Sequence, residues 1–271
     1  MGILKRTDPW EHSYRTMWRR EQKFLSDYRA AQPDMLCRVL AERVPQGLTE
    51  TLHRAFFHAF SLLFEKGEGI VRWAGRQQRR EEAYQVRRFA ADLREDRRSL
   101  QAFSKAADRT GQGSVVQAGV QGVGLGLLGI GLPDIPLFTL TLLKTIRETA
   151  VSFGFTGSEL EEQIWILRLI EAALSDGAEL EARNQALNDF IQDGTWPDSP
   201  VQEQQMQQTA HSLSQAMLYW KFVQGIPLVG AVGGAWDAVC LRRVQRYAAI
   251  KYSRRFLIDR KLGRQAGENA R

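Results

Sequence analysis

The sequence predicts an all-α protein, a compact helical domain with two glycine-rich apolar helical hairpins. Apolar residues recur at three-to-four spacing through most of the chain, and no segment alternates as a strand would. Two long apolar stretches are interrupted by proline, which breaks a straight helix. The chain has 271 residues, of which 44% are hydrophobic and 25% are charged. That composition is typical of a folded globular protein.

Residues 1–45 are predicted to form an N-terminal amphipathic extension. Trp10 and Trp18 fall in one helical segment with several basic residues, namely Arg15, Arg19, Arg20 and Lys23. Tryptophan prefers the headgroup region of a bilayer. We therefore expect Trp10 and Trp18 to contribute to membrane binding.

The segment that begins near Thr49 is predicted to be a core helix. Its stripe consists of Leu52, Phe56, Phe60 and Leu63. Gly67 and Gly69 are expected to end it, since glycine is unfavourable inside a helix. Residues 81–109 are expected to form a charged surface helix.

Two further helices carry start signals. Ser158 followed by Glu161 is typical of a capping box, which satisfies two free backbone N–H groups. The helix it opens has an apolar stripe, formed by Leu160, Ile164, Leu167, Ile170 and Leu174. Ser199, Pro200 and Gln202 repeat the signal for the next helix, with proline at its first position.

The two glycine-rich stretches are residues 113–143 and 222–241, each with a single charge, Asp134 and Asp237 respectively. Their lengths would allow them to span a bilayer. Alternatively they form helical hairpins, packed in the centre of the protein or dipping into one leaflet. Proline breaks both stretches, which favours hairpins.

Asp134, Asp237 and Glu171 are the candidate catalytic carboxylates, because a carboxylate among apolar residues is costly unless it is paired. Asp134 precedes a predicted helix start, so capping competes with an ion pair and with catalysis as its role. Glu171 lies beside the apolar stripe of its helix, so we expect it to face a partner such as an arginine.

Several classes of function lack their signatures. The only cysteines are Cys37 and Cys240, far apart, which excludes a disulfide framework and favours a reducing, intracellular setting. The N-terminus has no apolar segment typical of a signal peptide. The four histidines have no metal-site spacing, so neither a metal nor another cofactor is expected. No nucleophile elbow or phosphate loop is present.

Charge is strongly partitioned along the chain. Residues 72–109 carry 11 basic and 6 acidic residues, and residues 242–264 carry nine and one. Residues 156–215 carry 11 acidic residues against two arginines, so nucleic-acid binding is not expected. A basic amphipathic helix near the C-terminus favours an anionic membrane surface. The expected lipid contacts there are Arg242, Arg243, Arg246 and Arg254.

The order of several segments along the chain resembles that of the EcsC protein family. The resemblance rests on the glycine-rich run with Leu132-Pro133-Asp134-Ile135-Pro136, on Lys144-Thr145-Ile146-Arg147-Glu148 through Ser152-Phe153-Gly154-Phe155, and on the run from Ile226 to Ala235 followed by Asp237. It covers about residues 46–262 as an EcsC-like helical domain and leaves residues 263–271 as a predicted disordered tail. The resemblance implies an association with a bacterial ABC transporter and implies no catalytic activity.

The resulting hypothesis is a non-enzymatic accessory or regulatory protein, linked to an ABC transporter and held peripherally at the cytoplasmic face of the cell membrane. Its expected partners are the anionic membrane surface and transporter subunits. Two alternatives stay open. One is a hydrolase-like enzyme that uses the carboxylates at the glycine-rich hairpins, and the other is an integral membrane protein with two spanning helices.

Overall fold

The computed structural model describes residues 9–29, 46–73, 135–155, 159–196, 198–223 and 233–269. These residues form seven α-helices and no strand, which confirms the predicted all-α class. In chain order the helices are α1 (Pro9–Asp27), α2 (Gln46–Trp73), α3 (Ile135–Ser152), α4 (Leu160–Leu174), α5 (Gly177–Asp193), α6 (Gln202–Val223) and α7 (Gly233–Asn269). The predicted helix over residues 81–109 lies outside the described residues.

Helix α4 lies at the centre of the fold, with the bounds that its apolar stripe predicts. It packs against α5, α6 and α7. Because neighbours cover it on several sides, its buried residues extend well beyond one stripe. Those that are completely buried are Trp165, Leu167, Leu169, Ile170, Ala172 and Ala173.

The starts of α3 and α7 lie side by side. The rings of Phe138 in α3 and Trp236 in α7 have centroids 4.8 Å apart, and Phe56 of α2 lies edge-on to Phe138 at 6.2 Å. Residues 135–143 and 233–241 are the described ends of the two glycine-rich stretches. Both ends are helical and pack into the hydrophobic core. The predicted hairpins themselves fall outside the described residues and stay a prediction.

Helix α1 packs along α7. Its apolar residues Met17 and Phe24 are buried, and the ring centroids of Phe24 and Tyr247 are 4.8 Å apart. The backbone N–H of Gly177, at the start of α5, also donates a hydrogen bond of 2.9 Å to the carbonyl oxygen of Tyr28, directly after α1. The N-terminal helix therefore shares one core with the rest of the fold.

Several helix ends differ from the sequence-based expectation. Helix α2 continues through Gly67 and Gly69 to Trp73. Glycine costs only about 1 kcal/mol in a helix, and the surrounding turns can offset that cost. Helix α7 continues to Asn269, across residues predicted to be a disordered tail. That segment contains favourable helix formers such as Gln265 and Ala266.

The two predicted start signals are also displaced. The N-cap of α4 is Glu159, whose side chain makes no capping hydrogen bond, and Ser158 lies outside the described residues. Helix α6 begins at Gln202, and its first turn is closed by a bond from the N–H of Gln205 to the carbonyl of Val201. At this start Gln202 donates a hydrogen bond to Gln163 of α4.

Candidate functional site

The carboxylate of Glu171 is buried between α4, α5 and α6, where only 2% of its side chain is exposed. Arg183 of α5 forms an ion pair with one of its oxygens. The other oxygen accepts hydrogen bonds of 2.6 Å from the amide of Gln205 and 2.8 Å from the hydroxyl of Thr209. The prediction that Glu171 faces an arginine is therefore confirmed.

The electrostatics of Glu171 favour a structural role. Burial raises the pKa of its carboxyl group, while the charge of Arg183 and the hydrogen bonds from Thr209 and Gln205 oppose that rise. Both carboxylate oxygens are engaged by side chains of the protein itself. A substrate would have to displace these donors, so this arrangement joins three helices better than it serves catalysis.

The other two candidate carboxylates lie elsewhere in the chain. Asp134, which precedes the first residue of α3 in the sequence, lies outside the described residues. Asp237 is half-buried near the start of α7. Its negative charge adds to burial in raising the pKa of the Cys240 thiol. The hydrogen-bonding partners of Glu171 come from α5 and α6, whereas Asp237 lies in α7.

The apolar stripe of α7 faces the core. Leu241, Val244, Ala248 and Tyr252 are completely buried. An interfacial helix would need that stripe for lipid. In this fold the stripe packs against protein, so only the polar side of α7 is available to a membrane.

Three of the four predicted lipid-binding arginines of α7 form ion pairs within the protein. Arg243 donates to Asp176 at 2.9 Å and to the carbonyl of Ser175 at 2.6 Å, with 13% of its side chain exposed. Arg246 bonds Asp27 at 2.8 Å, and Arg254 bonds Glu21 at 2.6 Å. Arg242 is exposed.

The outer side of α1 combines exposed aromatic and basic side chains. Trp18 is 49% exposed and Tyr14 is 37% exposed, which is unusual for large rings. Arg15 and Arg19 are also exposed. At 3.6 residues per turn these four positions fall within one half of the helix circumference. Trp10 is half-buried and packs against the core. Helix α1 is thus amphipathic, with one side that faces the core and one that faces solvent. We call the solvent-facing side, formed by Tyr14, Arg15, Trp18 and Arg19, the α1 outer face.

A buried charge cluster that the sequence analysis did not identify joins α1 to α7. Lys251 is completely buried and donates 2.5 Å and 2.6 Å hydrogen bonds to Glu21 and Asn188. Burial lowers the pKa of Lys251 to about 8, against the opposing charge of Glu21. The sequence does contain a sign of this cluster. Glu21 lies on the apolar stripe of Met17 and Phe24, as Glu171 lies on the apolar stripe of α4.

A second unpredicted cluster lies where α7 crosses α4. The hydroxyl of Tyr252 donates a 2.6 Å hydrogen bond to Glu162, and Arg255 donates a 2.6 Å bond to the other oxygen of the same carboxylate. The guanidinium of Arg255 also lies 4.4 Å from the ring centre of Phe155. These contacts anchor the basic helix to the acidic α4.

Among the described helices, none is both long enough and apolar enough to cross a bilayer. The described residues also contain no group of three or more His, Cys, Asp or Glu side chains placed to hold a metal ion. Two histidines do meet across α2 and α6, since the ring centroids of His53 and His211 are 6.2 Å apart. No spacing along a single helix connects these two histidines, so the sequence did not predict the pair.

Comparison with known proteins gives one family and one curated relative. The EcsC protein family matches residues 13–257, from within α1 to within α7. The uncharacterized protein YdbA of Bacillus subtilis (strain 168) is 24% identical over 164 residues, which cover 59% of this chain and 60% of that protein. The chain thus spans less than two thirds of the length of this relative. No solved structure matches. Because the family match covers most of its length, the chain belongs to the EcsC protein family.

Proposed function

We propose that this protein is a non-enzymatic, membrane-associated accessory or regulatory protein, held peripherally on the anionic cytoplasmic face of the cell membrane. The observation that carries the proposal is the α1 outer face. There Tyr14 and Trp18 stay exposed beside Arg15 and Arg19 although the opposite side of the same helix is buried in the core.

This combination suits a lipid headgroup region. Tryptophan and tyrosine have an apolar ring with one polar atom, and both concentrate at membrane interfaces. Basic side chains near an anionic bilayer contribute about 1 kcal/mol each. Besides Arg15 and Arg19, helix α1 has two further exposed basic residues, Arg20 and Lys23. Its exposed carboxylates are two, Glu11 and Asp27.

The arginines of α7 take different parts in this proposal. Arg242 is exposed and adds positive charge for lipid. Arg243 and Arg254 are largely buried in ion pairs, so their first role is to hold α5 and α1 in place. Arg246 is 38% exposed and shares its charge with Asp27. Membrane binding should therefore depend more on α1 than on α7.

A binding role agrees with the structural role of Glu171, one of the candidate catalytic carboxylates. Glu171 is saturated by Arg183, Gln205 and Thr209. The partner that we propose is a membrane-bound ABC transporter, as the resemblance to the family implies. A peripheral protein confined to the membrane plane would meet such a transporter more often than a freely diffusing one.

The test is co-sedimentation with vesicles of phosphatidylcholine alone or mixed with anionic phosphatidylglycerol. We expect the wild type to pellet with the anionic vesicles, and the Trp18→Ala/Arg19→Gln variant to bind about tenfold more weakly. The matched control is Leu62→Ala/Arg54→Gln, which changes an exposed aliphatic residue and an exposed arginine on α2. Equal binding by all three proteins would refute attachment through the α1 outer face.

A further inference from the structure

We propose that His53 and His211 form a two-histidine site for a transition-metal ion of the zinc class, which would link α2 to α6. The proposal does not depend on membrane attachment. It rests on the placement of two imidazoles from helices that are far apart in sequence, and on the group that orients one of them.

The spacing of the two rings is close to that of a shared metal ion. Their centroids are 6.2 Å apart and their planes are inclined at 78°. Zinc binds imidazole nitrogen at about 2.0–2.1 Å, which places two rings on one tetrahedral ion with their centres about 5 Å apart. His211 is exposed, so its side chain can change rotamer and bring a ring nitrogen towards an ion held by His53.

A backbone carbonyl orients His53 as a metal ligand is usually oriented. Its Nε2 lies 3.2 Å from the carbonyl oxygen of Gln207. A carbonyl oxygen only accepts hydrogen bonds, so this contact assigns the proton to Nε2 and leaves the lone pair on Nδ1. Metal-binding histidines commonly donate their second ring N–H to such a carbonyl. Gln207 lies one turn before His211, so α6 supplies both the orienting group and the second ligand.

The chemistry of the ligands selects the ion. Neutral imidazole suits Zn²⁺, Ni²⁺ and Cu²⁺, whereas Mg²⁺ and Ca²⁺ prefer oxygen ligands. His53 is half-buried and His211 is exposed, so an ion and its remaining water ligands have access from solvent. Because the two ligands converge only in the folded protein, the ion should stabilise the packing of α2 against α6.

The experiment is a Zn²⁺ titration of the full-length chain without a histidine tag, followed by calorimetry and by thermal unfolding. We expect one Zn²⁺ per chain and a rise of a few degrees in the Tm at saturation. His53→Ala and His211→Ala should each abolish both effects. The control His58→Ala removes an exposed histidine from another side of α2 and should leave both unchanged.

Two results would overturn the proposal. One is a wild type that binds no Zn²⁺, and the other is equal binding by wild type and His211→Ala, which would mean that Zn²⁺ binds adventitiously elsewhere. Circular dichroism without metal checks that each variant folds. His211→Asn keeps a polar side chain without the imidazole and serves if the alanine variant does not fold. Loss of Zn²⁺ binding by a folded His211→Asn protein supports the site.

Discussion

The ammonium group of Lys251 donates a 2.5 Å hydrogen bond to the carboxylate of Glu21, although the two residues are 230 positions apart. Arg254 donates a 2.6 Å bond to the other oxygen of the same carboxylate. Lys251 is 0% exposed and Glu21 is 1% exposed. The N-terminal helix is thus joined to the C-terminal helix by a buried charge cluster. The cluster also holds the α1 outer face in its orientation.

Glu21→Gln should destabilise the protein by about 3–5 kcal/mol, because it leaves the buried Lys251 without a compensating charge. The measurement is the free energy of unfolding in urea. The control Glu11→Gln breaks an exposed i,i+4 pair with Arg15 and should cost at most about 1 kcal/mol. If both variants lost the same small amount, Glu21 would not hold α1 in place.

The buried cluster predicts a specific pH dependence. The pKa of Lys251 is lowered to about 8 in the folded protein from its ordinary 10.5, mainly by burial. Between these values Lys251 binds more protons in the unfolded chain, so this residue makes the free energy of unfolding rise with pH above about 8. Lys251→Met should lack that rise. The raised pKa of the buried Cys240 thiol opposes that rise in wild type and variant alike, so the prediction concerns the difference between the two. Urea unfolding between pH 7 and about 9.5 tests this, because the upper limit stays below the ordinary pKa of tyrosine. Parallel pH profiles of stability for wild type and Lys251→Met would contradict this prediction.

At acidic pH the carboxylate of the same cluster should dominate. Burial raises the pKa of Glu21, but the charges of Lys251 and Arg254 outweigh burial and hold the pKa below its ordinary value of 4.5. The stabilisation by Glu21 is therefore complete above that value and is lost as the pH falls through the folded pKa. Glu21→Gln should show a flatter acid limb than wild type in thermal unfolding below about pH 5. An unchanged acid limb would argue against the ion pair.

Glu171→Gln should lower stability by about 2–4 kcal/mol, since it removes the charge that neutralises Arg183 and presents an NH₂ group to donors. The matched control is Glu179→Gln, because Glu179 also contacts Arg183 but is exposed. The control should cost less than about 1 kcal/mol. The measurement is the free energy of unfolding of both variants in urea. A Glu171→Gln protein as stable as wild type would reopen a catalytic role for this carboxylate.

Much of the fold follows from the sequence because apolar periodicity reports burial directly. The stripe from Leu160 to Leu174 predicted α4 at its observed bounds, and the unmatched carboxylate on it predicted an arginine partner. Helix ends were predicted less well. Tertiary contacts such as Gln202 to Gln163 outweigh local capping signals such as Ser199.

The candidate sites were harder to predict because they combine distant parts of the chain. Charge composition marked the arginines of α7 but could not show that Asp27, Asp176 and Glu21 pair with three of them. The same limit applies to His53 and His211, which no spacing along one helix connects. Whether Asp134 is a cap, an ion-pair partner or a catalytic residue stays a prediction, since the residue lies outside the described part of the chain.

Peripheral attachment to an anionic membrane is tested most directly by the salt dependence of vesicle binding by the wild type. The screening length is about 10 Å at 0.1 M salt and about 3 Å at 1 M, so salt weakens attachment through exposed Arg15 and Arg19. We predict that the protein pellets with phosphatidylglycerol-containing vesicles at low salt and is released as salt rises. Binding that is indifferent to salt would contradict electrostatic attachment through α1 and would favour insertion of the glycine-rich stretches.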